Sequence, residues 1–110
     1  MDETGSGAGQ TAVIGERELA IGFRLIGLQN VVEVTPATAG AEFQRLMTRD
    51  DVNLVVASEG VRRMLSENQK LHAESSLQPL VVFIPSPTGD YQVESLAALA
   101  KRVLGVSLQV

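Results

Sequence analysis

RDDVNLVVASEGV, Arg49 to Val61, runs from a polar turn through an apolar segment to a helix start, and the rest of the chain repeats that unit. Arg49-Asp50-Asp51 turns the chain. Val52 to Ala57, VNLVVA, reads as a strand. Ser58 is a helix N-cap by residue type, and the helix after it carries Val61, Met64, Leu65 and Leu71 on one side. His72 to Gln78 is polar and reads as a loop.

Upstream, Thr11 to Gly15, TAVIG, is a first strand ended by glycine. Glu16 to Ile26 follows as a helix with acids at its start and Leu19, Phe23 and Ile26 at helical spacing. Gly27 marks its end. Val31 to Val34 is a second strand. Thr35-Pro36 then starts a helix, with threonine as cap and proline at the first helical position. Ala39, Phe43, Leu46 and Met47 form its buried stripe. Downstream, Leu80 to Ile84, LVVFI, is the fourth strand and reads as the most buried. Pro85 to Asp90 stops it. Val93 to Leu104 is a last helix with Leu96, Leu99, Ala100 and Val103 on its apolar face. Lys101 and Arg102 sit where the helix dipole favours cations, and Gly105 caps the end.

Strand and helix thus alternate four times. With short connections and right-handed crossovers, this implies one α/β domain. Its sheet is parallel, of about four strands in the flavodoxin-like or Rossmann-like order 2-1-3-4, with helices on both faces. Met1 to Gln10, MDETGSGAGQ, reads as a flexible lead-in, residues 11–105 as the domain, and residues 106–110 as an apolar tail.

Composition narrows the function. Aromatic residues are 4% of the 110, with no tryptophan, so the core is aliphatic. The net charge is −4 and no basic run exceeds Arg62-Arg63 or Lys101-Arg102, which argues against nucleic acid and against adsorption to anionic lipid. The absence of cysteine excludes disulfides, thiolate catalysis and cysteine metal sites. No leader and no membrane-spanning run is expected.

In parallel sheets of this kind, ligands sit at the carboxyl ends of the strands. Those ends are Gly15-Glu16, Thr35-Pro36, Ser58-Glu59 and Pro85-Ser86. A phosphoacceptor receiver needs an acidic pair after the first strand, an aspartate after the third and a lysine after a fifth. Here Glu16 stands nearly alone, Ser58 replaces the aspartate, and only Ser86 falls at a hydroxyl position that receivers use. A dinucleotide site needs its glycines between strand and helix. Gly5, Gly7 and Gly9 precede the first strand instead. His72 has no obvious partner beyond Glu74. Asp50-Asp51 lies at the wrong end of the sheet, and Glu16 and Glu59 read as helix-start carboxylates. The expectation is no catalytic residue, no cofactor and no metal.

Three segments carry a family resemblance. AVIG, Ala12 to Gly15, is followed by IGFRLIGL, Ile21 to Leu28. RDDVNLVVASEGV is the second. KRVLGV, Lys101 to Val106, after the IPSP turn at Ile84 to Pro87, is the third. In this order and spacing, the chain from Ala12 to about Leu108 resembles the F subunit of the V-type (V/A-type) rotary ATPases. The lead-in Met1 to Gln10 and the lack of a long C-terminal arm depart from the family pattern.

The resemblance implies a non-catalytic rotor subunit of the central stalk. It would be clamped to the coiled-coil D subunit of the stalk and, through the stalk, serve the catalytic A/B ring and the membrane ring. It would help couple ATP hydrolysis or synthesis to proton or sodium transport. The implied location is cytoplasmic and peripheral to the membrane. The alternatives are a degenerate receiver-like regulatory or interaction domain, and a small-molecule binder using the strand-end cleft. Amphipathicity, and not a family motif, nominates two partner surfaces. One is Arg62, Arg63, Met64 and Leu65; the other is Val103, Leu104, Val106 and Leu108.

Overall fold

A computed structural model describes residues 9–86, 98 and 100–103. The elements run β1 (Gln10–Gly15), α1 (Arg17–Leu25), β2 (Val31–Glu33), α2 (Ala39–Met47), β3 (Val52–Ser58), α3 (Glu59–Met64), α4 (Glu67–Ser75) and β4 (Leu80–Ile84). Residues 98 and 100–103 are helical. The strands form one parallel sheet in the order β2-β1-β3-β4, the order expected from the alternation.

Because side chains alternate along a strand, the sheet presents two apolar faces. Ala12, Ile14, Val55 and Ala57 meet Phe43 and Leu46 of α2, Val61 of α3 and Ala73 of α4 on one face. Val13 and Val56 meet Leu19 and Phe23 of α1, together with Ile84 and Ala100, on the other. Helices therefore cover both faces. Phe43 and Phe23 are fully buried, one on each side, and stand in for the aromatic mass the composition lacks. Truncating either to alanine is expected to cost about 3–5 kcal/mol.

The ends of α1 follow local rules. Gly27 adopts φ 101°, the left-handed region that glycine enters without strain. Its N–H donates to Arg24 O at 3.0 Å and the Leu28 N–H to Phe23 O at 3.3 Å, which closes the helix as a Schellman motif. The GFRLIG run is thus a helical turn that buries Gly22 and Phe23, leaves Arg24 and Leu25 exposed, and ends in its own stop signal.

Three expectations need correction. First, α2 begins at Ala39, after a separate turn, and not at Thr35-Pro36. The Thr38 Oγ1 accepts the Thr35 N–H at 3.0 Å, and the Thr35 carbonyl accepts the N–H groups of Thr38 and Ala39. Second, the helix after β3 breaks at Leu65, and the supposed loop from His72 is helical through Ser75. Ser66 and Gln69 form a reciprocal capping box that opens α4. Gln69 Nε2 also donates to Gly40 O at 2.9 Å, tying α4 to α2. Leu71 consequently faces out at 63% exposure. Third, among the described residues β4 lies at the edge of the sheet and is the less buried outer partner of β3. The expected span of the last helix from Val93, its cap at Gly105 and the tail 106–110 fall outside the described residues, apart from 98 and 100–103.

Candidate functional site

The carboxyl ends of β1, β3 and β4 converge. Ser58 ends β3 fully buried, and its Oγ accepts the Val61 N–H at 2.9 Å. This is the N-cap predicted from residue type, and it occupies the hydroxyl where a receiver would need a free carboxylate. Glu16 follows β1 but does not cap its own helix. Its carboxylate leans across instead, and Glu16 Oε2 accepts the Ser86 hydroxyl at 2.9 Å. Ser86 Oγ in turn accepts the Gly60 N–H at 2.7 Å. A Cβ added at Gly60 would overlap Glu16 Oε2 and lie 2.8 Å from Ser86 Oγ, so only glycine admits this approach. Glu16 Oε1 is buried with no hydrogen-bond partner among the described residues.

Chemically this cluster offers one carboxylate whose better-placed oxygen is already engaged by a hydroxyl. Among the described residues no three acidic, histidine or cysteine side chains gather in metal-binding geometry. His72 is exposed on α4, and Asp51 is held in a turn by Arg49 at 2.7 Å, at the opposite end of the sheet. That hydrogen bond lowers the Asp51 pKa below the ordinary carboxylate value.

The proposed partner residues divide by exposure. Arg63 is exposed. Arg62 is partly buried, pairs with Glu74 of α4 at 2.9 Å and lies 5.7 Å over the Phe83 ring of β4. The Glu74 hydrogen bond raises the Arg62 pKa above its usual value. Met64 packs partly buried against the core, and Leu65 is buried at 5% exposure. In this conformation Leu65 is a core residue, and a partner can reach the face mainly through Arg63. Val103 packs half-buried against the cluster that holds Ile84 and Ala100. Leu104, Val106 and Leu108 lie outside the described residues.

What sequence reasoning missed is the apolar rim of β4. Leu77, Leu80 and Val82 are exposed, Leu77 at 84%. LVVFI, apolar at every position, carries no alternation to signal it, because exposure along an outer strand is set by strand order and not by residue type.

Residues 11–103 match the family model described as ATP synthase (F/14-kDa) subunit. The chain belongs to that family.

Its relatives agree. It is 35% identical over 96 residues to the F subunit of the A-type ATP synthase of Thermoplasma acidophilum, covering 87% of this chain and 91% of that one. It is 31% identical over 99 residues to the F subunit of the A-type ATP synthase of Methanothermobacter thermautotrophicus, covering 88% and 93%. The crystal structure of the V-type ATP synthase F subunit from Archaeoglobus fulgidus superposes with a TM-score of 0.64 at 24% identity, over 70% of this chain and 98% of that one, and shows the same fold. As an F subunit of an A/V-type ATP synthase, the chain is an accessory part of the complex and not its catalytic subunit. The receiver-like alternative gives way to this assignment. No helix among the described residues is long and apolar enough to cross a membrane.

Proposed function

We propose that this F subunit is a brace on the central stalk, bound to the coiled-coil D subunit and turning with it. In that position it helps couple ATP hydrolysis or synthesis to proton or sodium movement through the membrane ring, from a cytoplasmic, membrane-peripheral site. The observation that carries the reading is the family match across residues 11–103, which takes in every described helix and, apart from Gln10 of β1, every described strand. The physics supports it: both faces of the sheet are packed under helices, which suits a part that transmits load without deforming.

The partner surface comes from two faces. One is the Arg62–Leu65 turn, contacting through Arg63 with Arg62 beside it and with Met64 and Leu65 as its buried backing. The other is Val103 with the residues Leu104, Val106 and Leu108 that follow. Coiled-coil helices present charged flanks along an apolar seam, which suits a guanidinium beside aliphatic anchors.

Co-purification with the D subunit tests the reading, with two variants to locate the surface. Arg63→Glu reverses an exposed charge without touching the core, and deletion of residues 104–110 removes three of the aliphatic candidates. At least one variant is expected to weaken binding by about tenfold or more. If the wild-type chain does not bind the D subunit, the stalk reading fails. If it binds and neither variant matters, both proposed faces are wrong.

A further inference from the structure

The Glu16–Ser86–Gly60 contact joins three places that are far apart in sequence. Ser86 is 70 residues from Glu16 and 26 from Gly60. Glu16 closes β1 and opens α1, and Gly60 lies in the first turn of α3. Ser86 is the second residue after β4, where the chain leaves the sheet. One hydroxyl therefore donates to one strand-end carboxylate and accepts from the backbone of the next helix.

Ordinary helix capping does not explain this arrangement. Ser58 already caps α3 by taking the Val61 N–H. Glu16 forgoes a cap on α1, and its partly buried carboxylate lies against Gly60, where a Cβ would displace it. A buried backbone N–H and a carboxylate drawn out of water both gain from a partner; Ser86 supplies one to the Gly60 N–H and to Oε2 of Glu16, while Oε1 has none among the described residues.

From these contacts we infer that Glu16, Gly60 and Ser86 form a clasp that holds the chain leaving β4 against the ends of β1 and β3. Ile84, two residues before Ser86, is the β4 residue that packs in the same cluster as Ala100, with Val103 against it. The clasp thereby sets how firmly the terminal helical turn sits on the sheet. It also links α3, which carries Arg62 and Arg63, to that turn. The link rests on geometry within this chain and stands whether or not either face meets the D subunit.

Amide hydrogen exchange on the isolated full-length chain, followed residue by residue by NMR, tests the clasp. In Ser86→Ala the Gly60 amide is expected to exchange about tenfold faster, and residues 100–103 to lose protection with it, while β1–β2 pairing is unchanged. Glu16→Ala should act in the same direction. Ser86→Thr keeps the hydroxyl and should behave as wild type. An unchanged Gly60 amide in Ser86→Ala overturns the clasp, as does a loosened Gly60 with full protection at 100–103. A Ser86→Thr variant as loose as Ser86→Ala also overturns it, because the effect would then come from packing and not from the hydroxyl.

Discussion

Val56 in β3 and Val82 in β4 are register partners in the same sheet and point to the same face, yet one is 1% exposed and the other 37%. Their side chains are identical. Val56 has β1 on one flank and β4 on the other, with Phe23 of α1 in the cluster that covers it. Among the described residues Val82 has a neighbour strand on one flank only. The same contrast holds one pleat earlier, where half-buried Leu54 pairs with exposed Leu80. Apolarity in sequence marks a segment as strand. How much of it is buried depends on where the topology puts the strand.

The largest expected effect breaks this comparison outright. Val56→Asp places a carboxylate in a dry core with no partner, and the domain should fail to fold, read as loss of the thermal transition in circular dichroism. The same change at Val82 leaves the charge near solvent and should keep a cooperative transition. Equal losses at both positions would mean that β4 is not an edge in solution.

A smaller effect compares two serine caps at different depths. Ser58 is fully buried at the end of β3, whereas Ser66 caps α4 at the surface. Ser58→Ala should cost about 1–2 kcal/mol in a urea titration, and Ser66→Ala about 0.5–1 kcal/mol. A reversed order would show that the surface capping box, reinforced by Gln69 reaching Gly40, holds the molecule more tightly than the strand-end cap does.

The smallest effect concerns the turns leading into the two strands. The Arg49–Asp51 pair precedes β3, and Gln78 Nε2 bonds Val52 O just before β4. The Asp51 pKa is lowered in the folded state, so its contribution is present above the unfolded carboxylate value and is lost as pH falls through the folded one. Asp51→Asn should therefore lower Tm slightly at pH about 7 and not at all near pH about 2. Solvent screens this exposed pair, so a large shift at neutral pH would contradict the geometry.

Much of the fold is legible in the sequence because it is local. Gly27 as a helix stop needs only its own φ and two neighbouring N–H groups. Ser58 as a cap needs only the residue three ahead. The S-x-x-Q signal at Ser66 and Gln69 is equally local and marks the start of α4. Apolar Leu71 masks it by extending the helical spacing of Val61, Met64 and Leu65 as if one helix continued. Thr35-Pro36 misleads for a similar reason: the cap chemistry is present, but Thr38 uses it to make a turn.

By itself, the sequence determined that strands and helices alternate, that the sheet is parallel, and that no catalytic constellation is expected on it. These follow from periodicity, connection length and residue type, each of which acts over a few residues. Only the tertiary structure decided that LVVFI is an exposed-edged strand, that Leu65 belongs to the core, and that Glu16, Gly60 and Ser86 meet. Such facts depend on which segments become neighbours across tens of residues. A hydroxyl that serves two strand ends at once carries no mark in the sequence around it.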